Sequence, residues 1–316
     1  MIMNFEEIFY KDKLILMEGG LGERLKREYN IQMDNDIALA GHIYDDNKRQ
    51  ALTELFEQYI SIAKEYDMPI MVTTPTRRAN KERISCSIFK ENNVIEDNVR
   101  FLKQLKEKTV AQVYIRGLMG CKGDAYSKGE HLSIESAFEF HSWQTKLFKK
   151  ANVDFLYAGI MPTLPEAIGM AKAMESTELP YIISFMIKKD GKLLDGTTIN
   201  DAIAAIDKYT TRKPLCYMTN CVHPKVLNSA LSQEYNETLV VKERFKGIQS
   251  NTSELSPEEL DNCKELKTSD SISLANDMIN LYNKFNLKIF GGCCGTDNTH
   301  IQEIAKRLTS LSPSNK

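Results

Sequence analysis

The feature that most constrains this chain is the regular return of short apolar runs rich in β-forming residues, at 14–17, 70–74, 113–118, 153–160, 181–187, 215–219, 245–249 and 287–290. Longer amphipathic stretches separate them. In the clearest, Leu52, Leu55, Phe56, Tyr59, Ile60 and Ala63 recur at the spacing that puts one apolar stripe on a helix. Parallel strands need a crossover after each strand, usually a helix. Eight such alternations in 316 residues therefore predict an α/β chain folded as a single (β/α)8 TIM barrel, with a doubly wound open sheet as the second choice. Residues 250–271, rich in Ser, Glu, Asp and Asn and containing Pro257, predict a long loop insertion with a short helix after strand seven. No linker, low-complexity tract or short repeat interrupts the pattern, so residues 1–316 are read as one barrel domain.

Composition narrows the chemistry. Lys plus Arg number 41 against 43 for Asp plus Glu, a balance that gives no field to gather a polyanion, so no nucleic acid partner is expected. No apolar stretch reaches the roughly 18 residues of a membrane span, and residues 1–13 lack the apolar centre of an export signal. The expected location is cytoplasmic. Seven cysteines, an odd number, then predict reduced thiols that serve a metal or a reaction rather than disulfides.

In a barrel of this kind the functional groups gather where strands end, because the following loops converge on one mouth. The first strand ends in Met17-Glu18-Gly19-Gly20, the sixth in Thr219-Asn220-Cys221-Val222-His223-Pro224, and the eighth in Gly291-Gly292-Cys293-Cys294-Gly295-Thr296. Adjacent cysteines make a strained disulfide, but both can ligate one metal if the backbone bends between them, and the flanking glycines supply the bend. Strands six and eight are separated by only one strand, so Cys221 can join Cys293 and Cys294. Three thiolates and a soft site point to Zn2+, and three protein ligands leave a fourth position for substrate. A thiol entering there is ionised at neutral pH and becomes a nucleophile toward a methyl group. A closed structural zinc site completed by His223 or His300 is the alternative. Cys86, Cys121, Cys216 and Cys263, each taken alone, read as small core residues.

These residues resemble the homocysteine S-methyltransferase family from about Leu14 to Leu308. The likeness rests on Gly19 and Gly20, Asp195-Gly196-Thr197, Asn220-Cys221, Asn251 and the block from Gly291 to Thr296. The resemblance implies that Cys221, Cys293 and Cys294 are the zinc ligands and the catalytic centre. It also implies that Glu18, Gly19, Gly20 and Asn220 contact substrate, Glu18 standing where the family commonly carries Asp to meet an ammonium group. The implied reaction moves a methyl group from a small donor to the thiol of homocysteine, giving methionine. The implied partners are thus a small-molecule thiol acceptor and a methyl donor, with a homo-oligomer open. Two other readings stand beside it: a zinc- or thiol-binding relative without turnover, and an alkyl transferase acting on a different thiol.

The chain also departs from the family pattern. After strand four it has Gly159 where the family presents a Glu, and after strand two it has Arg77-Arg78, either a carboxylate- or phosphate-binding pair or a solvated loop. The stretch from Arg116 to Gly123 lacks the family's Ser-Val-Gly-Pro type of turn. Neither a Gly-x-Gly-x-x-Gly nor a Walker motif occurs, so no nucleotide cofactor is expected.

Overall fold

The computed structural model describes residues 3–11, 13–123, 125–126, 132–255 and 269–311. Eight parallel strands close into one barrel in sequence order: β1 (Ile15–Met17), β2 (Ile70–Thr73), β3 (Val113–Gly120), β4 (Phe155–Met161), β5 (Tyr181–Phe185), β6 (Cys216–Val222), β7 (Phe245–Ser250) and β8 (Ile289–Gly292). Helices follow every strand, from Asp46–Glu65 after β1 to Asn298–Leu311 after β8. The expected barrel is therefore the observed one, and the open sheet is excluded. The expected insertion after strand seven falls mostly outside the described residues, as does Cys263. No helix among the described residues is long and apolar enough to cross a membrane.

Strand ends differ from the sequence reading in one consistent way. β3, β4, β6 and β8 run one to three residues further toward the mouth than their apolar runs, to Gly120, Met161, Val222 and Gly292. These additions include glycines and polar residues of low strand propensity. They are held extended by pairing with their neighbours, Gly120 with Gly159, Asn220 with Gln249 and Ser250 with Gly292.

The period-2 alternation of strands sorts the barrel's side chains into two cores. Inside, Met17, Met71, Tyr157, Ile182, Met218 and Ile289 form a cluster; their chain neighbours Leu16, Val72, Leu156, Ile183, Tyr217 and Phe290 pack outward into the larger cluster shared with the helices. The N-terminal helix Phe5–Tyr10, closed by a capping box between Asn4 and Glu7, stoppers the end of the barrel opposite the mouth. Phe5 stacks on Phe155 with ring centroids 3.8 Å apart, and Ile8 and Phe9 join the inner cluster. Higher up, the same alternation brings Thr73, Arg116, Ser184, Asn220 and Gln249 inward, all buried. The barrel thus carries a polar layer on top of an apolar one.

Cutting Phe5 back to Ala removes the stacked ring at the base and leaves a cavity there, so stability should fall by about 3–5 kcal/mol. Urea unfolding of the Phe5→Ala variant checks this, and a midpoint equal to that of the unaltered chain would mean the N-terminal helix is not part of the core.

Candidate metal and substrate site

The three cysteines singled out in the sequence meet at the mouth. Cys221 Sγ lies 2.9 Å from Cys293 Sγ, Cys293 Sγ lies 4.0 Å from Cys294 Sγ, and all three sulfurs fall within 4.8 Å of one another. Zinc–sulfur bonds of about 2.3 Å at tetrahedral angles separate sulfurs by roughly 3.8 Å, which these spacings bracket, whereas a disulfide needs about 2.05 Å. The donor set therefore fits a soft tetrahedral cation.

Backbone geometry brings the sulfurs together. Cys221 stands at φ 57°, a left-handed conformation unusual for a residue with a Cβ, at a register shift between β6 and β7. Asn251 bridges the two cysteine segments: its Nδ2 donates to the Cys221 carbonyl at 2.9 Å, and its Oδ1 accepts from the Cys294 N–H at 3.2 Å. Gly20 leaves room for the eighth strand's loop, since a Cβ there would sit 2.4 Å from the Cys293 carbonyl oxygen. Gly295, at φ 83°, turns the chain directly after the cysteine pair.

The electrostatics of the trio agree with this grouping. Hydrogen bonds from Cys293 and Cys294, helped by the Tyr126 hydroxyl, hold the Cys221 thiol well below the usual thiol range. Cys293 is raised by its hydrogen bond to Cys221, and Cys294 is likewise pushed up to about 12. Three thiolates this close repel one another unless a cation lies among them, so ionising one sulfur raises the cost of ionising the other two.

The two histidines offered for a closed site are engaged elsewhere. His223 caps the helix Pro224–Leu231, and His300 pairs with Asp297 at 2.8 Å and with the Ser269 carbonyl at 3.0 Å. Among the described residues the metal-capable cluster holds only the three cysteines. The lone-cysteine readings need correction. Cys216 is a core residue inside the barrel, its thiol pushed up to about 12 by burial, but Cys86, at the end of the short helix Lys81–Cys86, is exposed, and Cys121 is half-buried beside the site.

A cavity of about 310 Å³ opens beside the sulfurs. Its walls include Leu21, Met33, Leu39, Leu118 and Ile160, with Arg77 and Arg78 exposed at its rim, so the arginine pair is both solvated and within reach of a ligand. Below lies the polar layer. Arg116 Nη2 donates to Glu18 Oε1 at 2.5 Å and reaches Gln249 Oε1 at 3.4 Å. Asn220 Nδ2 donates to the same Gln249 oxygen at 2.9 Å, while Asn220 Oδ1 accepts from Ser184 and from the Ile160 N–H at 3.2 Å.

Glu18 accordingly does not cap the helix Gly22–Glu28, whose N-cap is Leu21. It is buried against Arg116, and both side chains are 1% exposed. The sequence reading placed Arg116 inside the third apolar run and gave it no role. The signal was the alternation Tyr114, Arg116, Leu118, which puts all three on the barrel's inner side. Tyr126 was missed as well, since a lone tyrosine in a loop carries no periodicity.

Known proteins share the family and the fold of this chain. The chain is 23% identical over 223 residues to a selenocysteine Se-methyltransferase of Brassica oleracea var. italica, covering 68% of this chain and 61% of the relative. It is 26% identical over 196 residues to the homocysteine S-methyltransferase YbgG of Bacillus subtilis (strain 168), covering 60% and 58%. The chain thus spans about three fifths of the length of these curated relatives. The metallated form of the homocysteine methyltransferase MmuM from Escherichia coli shares the fold, with a TM-score of 0.74 at 16% identity over 95% of this chain and 98% of that one. Its apo form superposes with a TM-score of 0.66 at the same identity, over 94% and 96%. The sequence model described as homocysteine S-methyltransferase matches residues 15–308, and with that span the chain belongs to the homocysteine S-methyltransferase family.

Proposed function

We propose that this protein is a zinc-dependent S-methyltransferase in which Cys221, Cys293 and Cys294 hold one Zn2+, and a small thiol, homocysteine or a close analogue, receives a methyl group from a small donor to give the thioether, methionine in the first case. The observation that carries the reading is the convergence of three sulfurs on one wall of a cavity sized for small molecules. The names of the similar proteins support it: one methylates a selenol, the other is a homocysteine methyltransferase, and the E. coli neighbour is described in a metallated form.

Bound zinc supplies a fourth position where a thiol is held ionised at neutral pH. The chain's own groups do the rest. Tyr126 keeps its hydroxyl beside Cys221, and the apolar wall of Leu21, Met33, Leu39 and Ile160 keeps bulk water from competing for the methyl group. In the transfer the acceptor sulfur forms a bond to the methyl carbon while the bond from that carbon to the donor breaks, its electron pair leaving with the donor. The gain comes chiefly from holding the two reactants in line. Gly19, Gly20, Glu18 and Asn220 all border the cavity. Asn220 acts as a positioning residue, since both ends of its amide are taken by protein partners.

Metal analysis under reducing conditions should give one zinc per chain. Cys294→Ser should lower zinc occupancy after dialysis against a mild chelator, whereas Cys216→Ala should leave it unchanged. Full occupancy in the serine variant would remove Cys294 from the site. Asn251→Ala, which frees both cysteine segments without touching a sulfur, should weaken zinc affinity by roughly 10- to 100-fold, read by competition with a zinc-binding dye. An unaltered affinity would reduce Asn251 to a loop residue.

A further inference from the structure

The polar layer below the sulfurs contains one charged side chain whose hydrogen-bonding capacity is largely unspent. Arg116 is 1% exposed and lines the cavity together with Cys221 and Cys293. Its Nη2 serves Glu18 and Gln249, and one face of the guanidinium lies 4.3 Å from the centre of the Tyr157 ring. Its Nε and Nη1 find no acceptor among the described residues. A buried guanidinium with idle donors is costly. The neighbours in the layer have little left to offer, since Asn220 and Gln249 are bonded to each other and Ser184 to Asn220. On β4, Tyr157 turns its ring face to the guanidinium, and the next inward position is Gly159, which carries no side chain. The remaining free polar atom of the ion pair is Glu18 Oε2.

We infer that Arg116 is the residue that recognises the acceptor, and that the group it takes is a carboxylate at the far end of a short thiol, docked on the Nη1–Nη2 end, where Nη1 is idle and Nη2 makes only a long 3.4 Å contact to Gln249 besides its bond to Glu18. Guanidinium and carboxylate match as a two-pronged pair, which a lysine cannot reproduce. Glu18, its charge already matched by Arg116, holds the guanidinium in place and contributes little to an amino group. The acceptor class is therefore a short mercapto-carboxylate, with or without an α-amino group. This inference rests on the reading of the cysteine trio as the site where a thiol is bound.

The test measures binding calorimetrically to the zinc-loaded protein for four thiols: homocysteine, 4-mercaptobutanoate, 3-mercaptopropylamine and 1-propanethiol. The two carboxylate thiols should bind alike and roughly 10- to 100-fold tighter than propanethiol, while the amine should bind no tighter than propanethiol. Arg116→Lys keeps a cation beside Glu18 and should lose most of the carboxylate preference with propanethiol binding unchanged. Glu18→Gln, which still offers Arg116 an acceptor oxygen, should keep the carboxylate preference. Equal binding of 4-mercaptobutanoate and propanethiol, or a preference for the amine that vanishes in Glu18→Gln, would overturn the assignment. Failure of all four thiols to bind, propanethiol included and with zinc retained, would overturn the thiol-acceptor reading and this inference with it.

Discussion

The ion pair between Arg116 and Glu18, sealed inside the barrel, is the interaction around which the upper half of this molecule is organised. Removing two charges from water is expensive, and their attraction repays it only when the remaining polar atoms are also served. Here the repayment is partial: Gln249 and the Tyr157 ring help Arg116, yet three polar atoms of the pair stay idle. A simple apolar filling would stabilise a barrel at lower cost, and breaking one half of such a pair costs about 3–5 kcal/mol. The pair is better understood as prepared for a ligand than as a device for stability.

From that layer a continuous set of hydrogen bonds runs upward. Arg116 meets Gln249, Gln249 meets Asn220, and Asn220 fixes the Ile160 N–H, so β3, β7, β6 and β4 are tied at one level. Cys221 follows Asn220 directly. Both Cys221 and Ile160 adopt left-handed backbone conformations, at φ 57° and 58°, beside register shifts in their strands. Such conformations cost about 1–3 kcal/mol each and persist where the surroundings over-determine them. The strain sits where the sulfur must leave the strand's regular direction to face Cys293.

Much of this was legible in the sequence. The alternation of short apolar runs with helical stripes specified the barrel, because burial on both faces of a parallel strand leaves a continuous apolar run. The cysteines were legible because glycines frame them at strand ends, where side chains converge. What stayed hidden was the continuation of strands past their apolar runs. β6 keeps its ladder at Asn220 and, past the shift at Cys221, at Val222 because β7 pairs with it, and nothing local to Asn220 announces a strand. Arg116 was hidden for a different reason: it falls inside the third apolar run, where nothing local gives a charge a role, and only the inward parity shared with Tyr114 and Leu118 shows that it points to the centre. Glu18 was read as meeting an ammonium group with its protein partner Arg116 out of view.

The central claim, a zinc ion held by three sulfurs with a place for a fourth, is most directly tested by X-ray absorption at the zinc edge, with and without thiol. The account predicts a shell of three sulfurs and one lighter atom in the protein alone, changing to four sulfurs when an acceptor thiol is added. A shell that holds four protein ligands from the outset, or that stays unchanged on adding thiol, would contradict it.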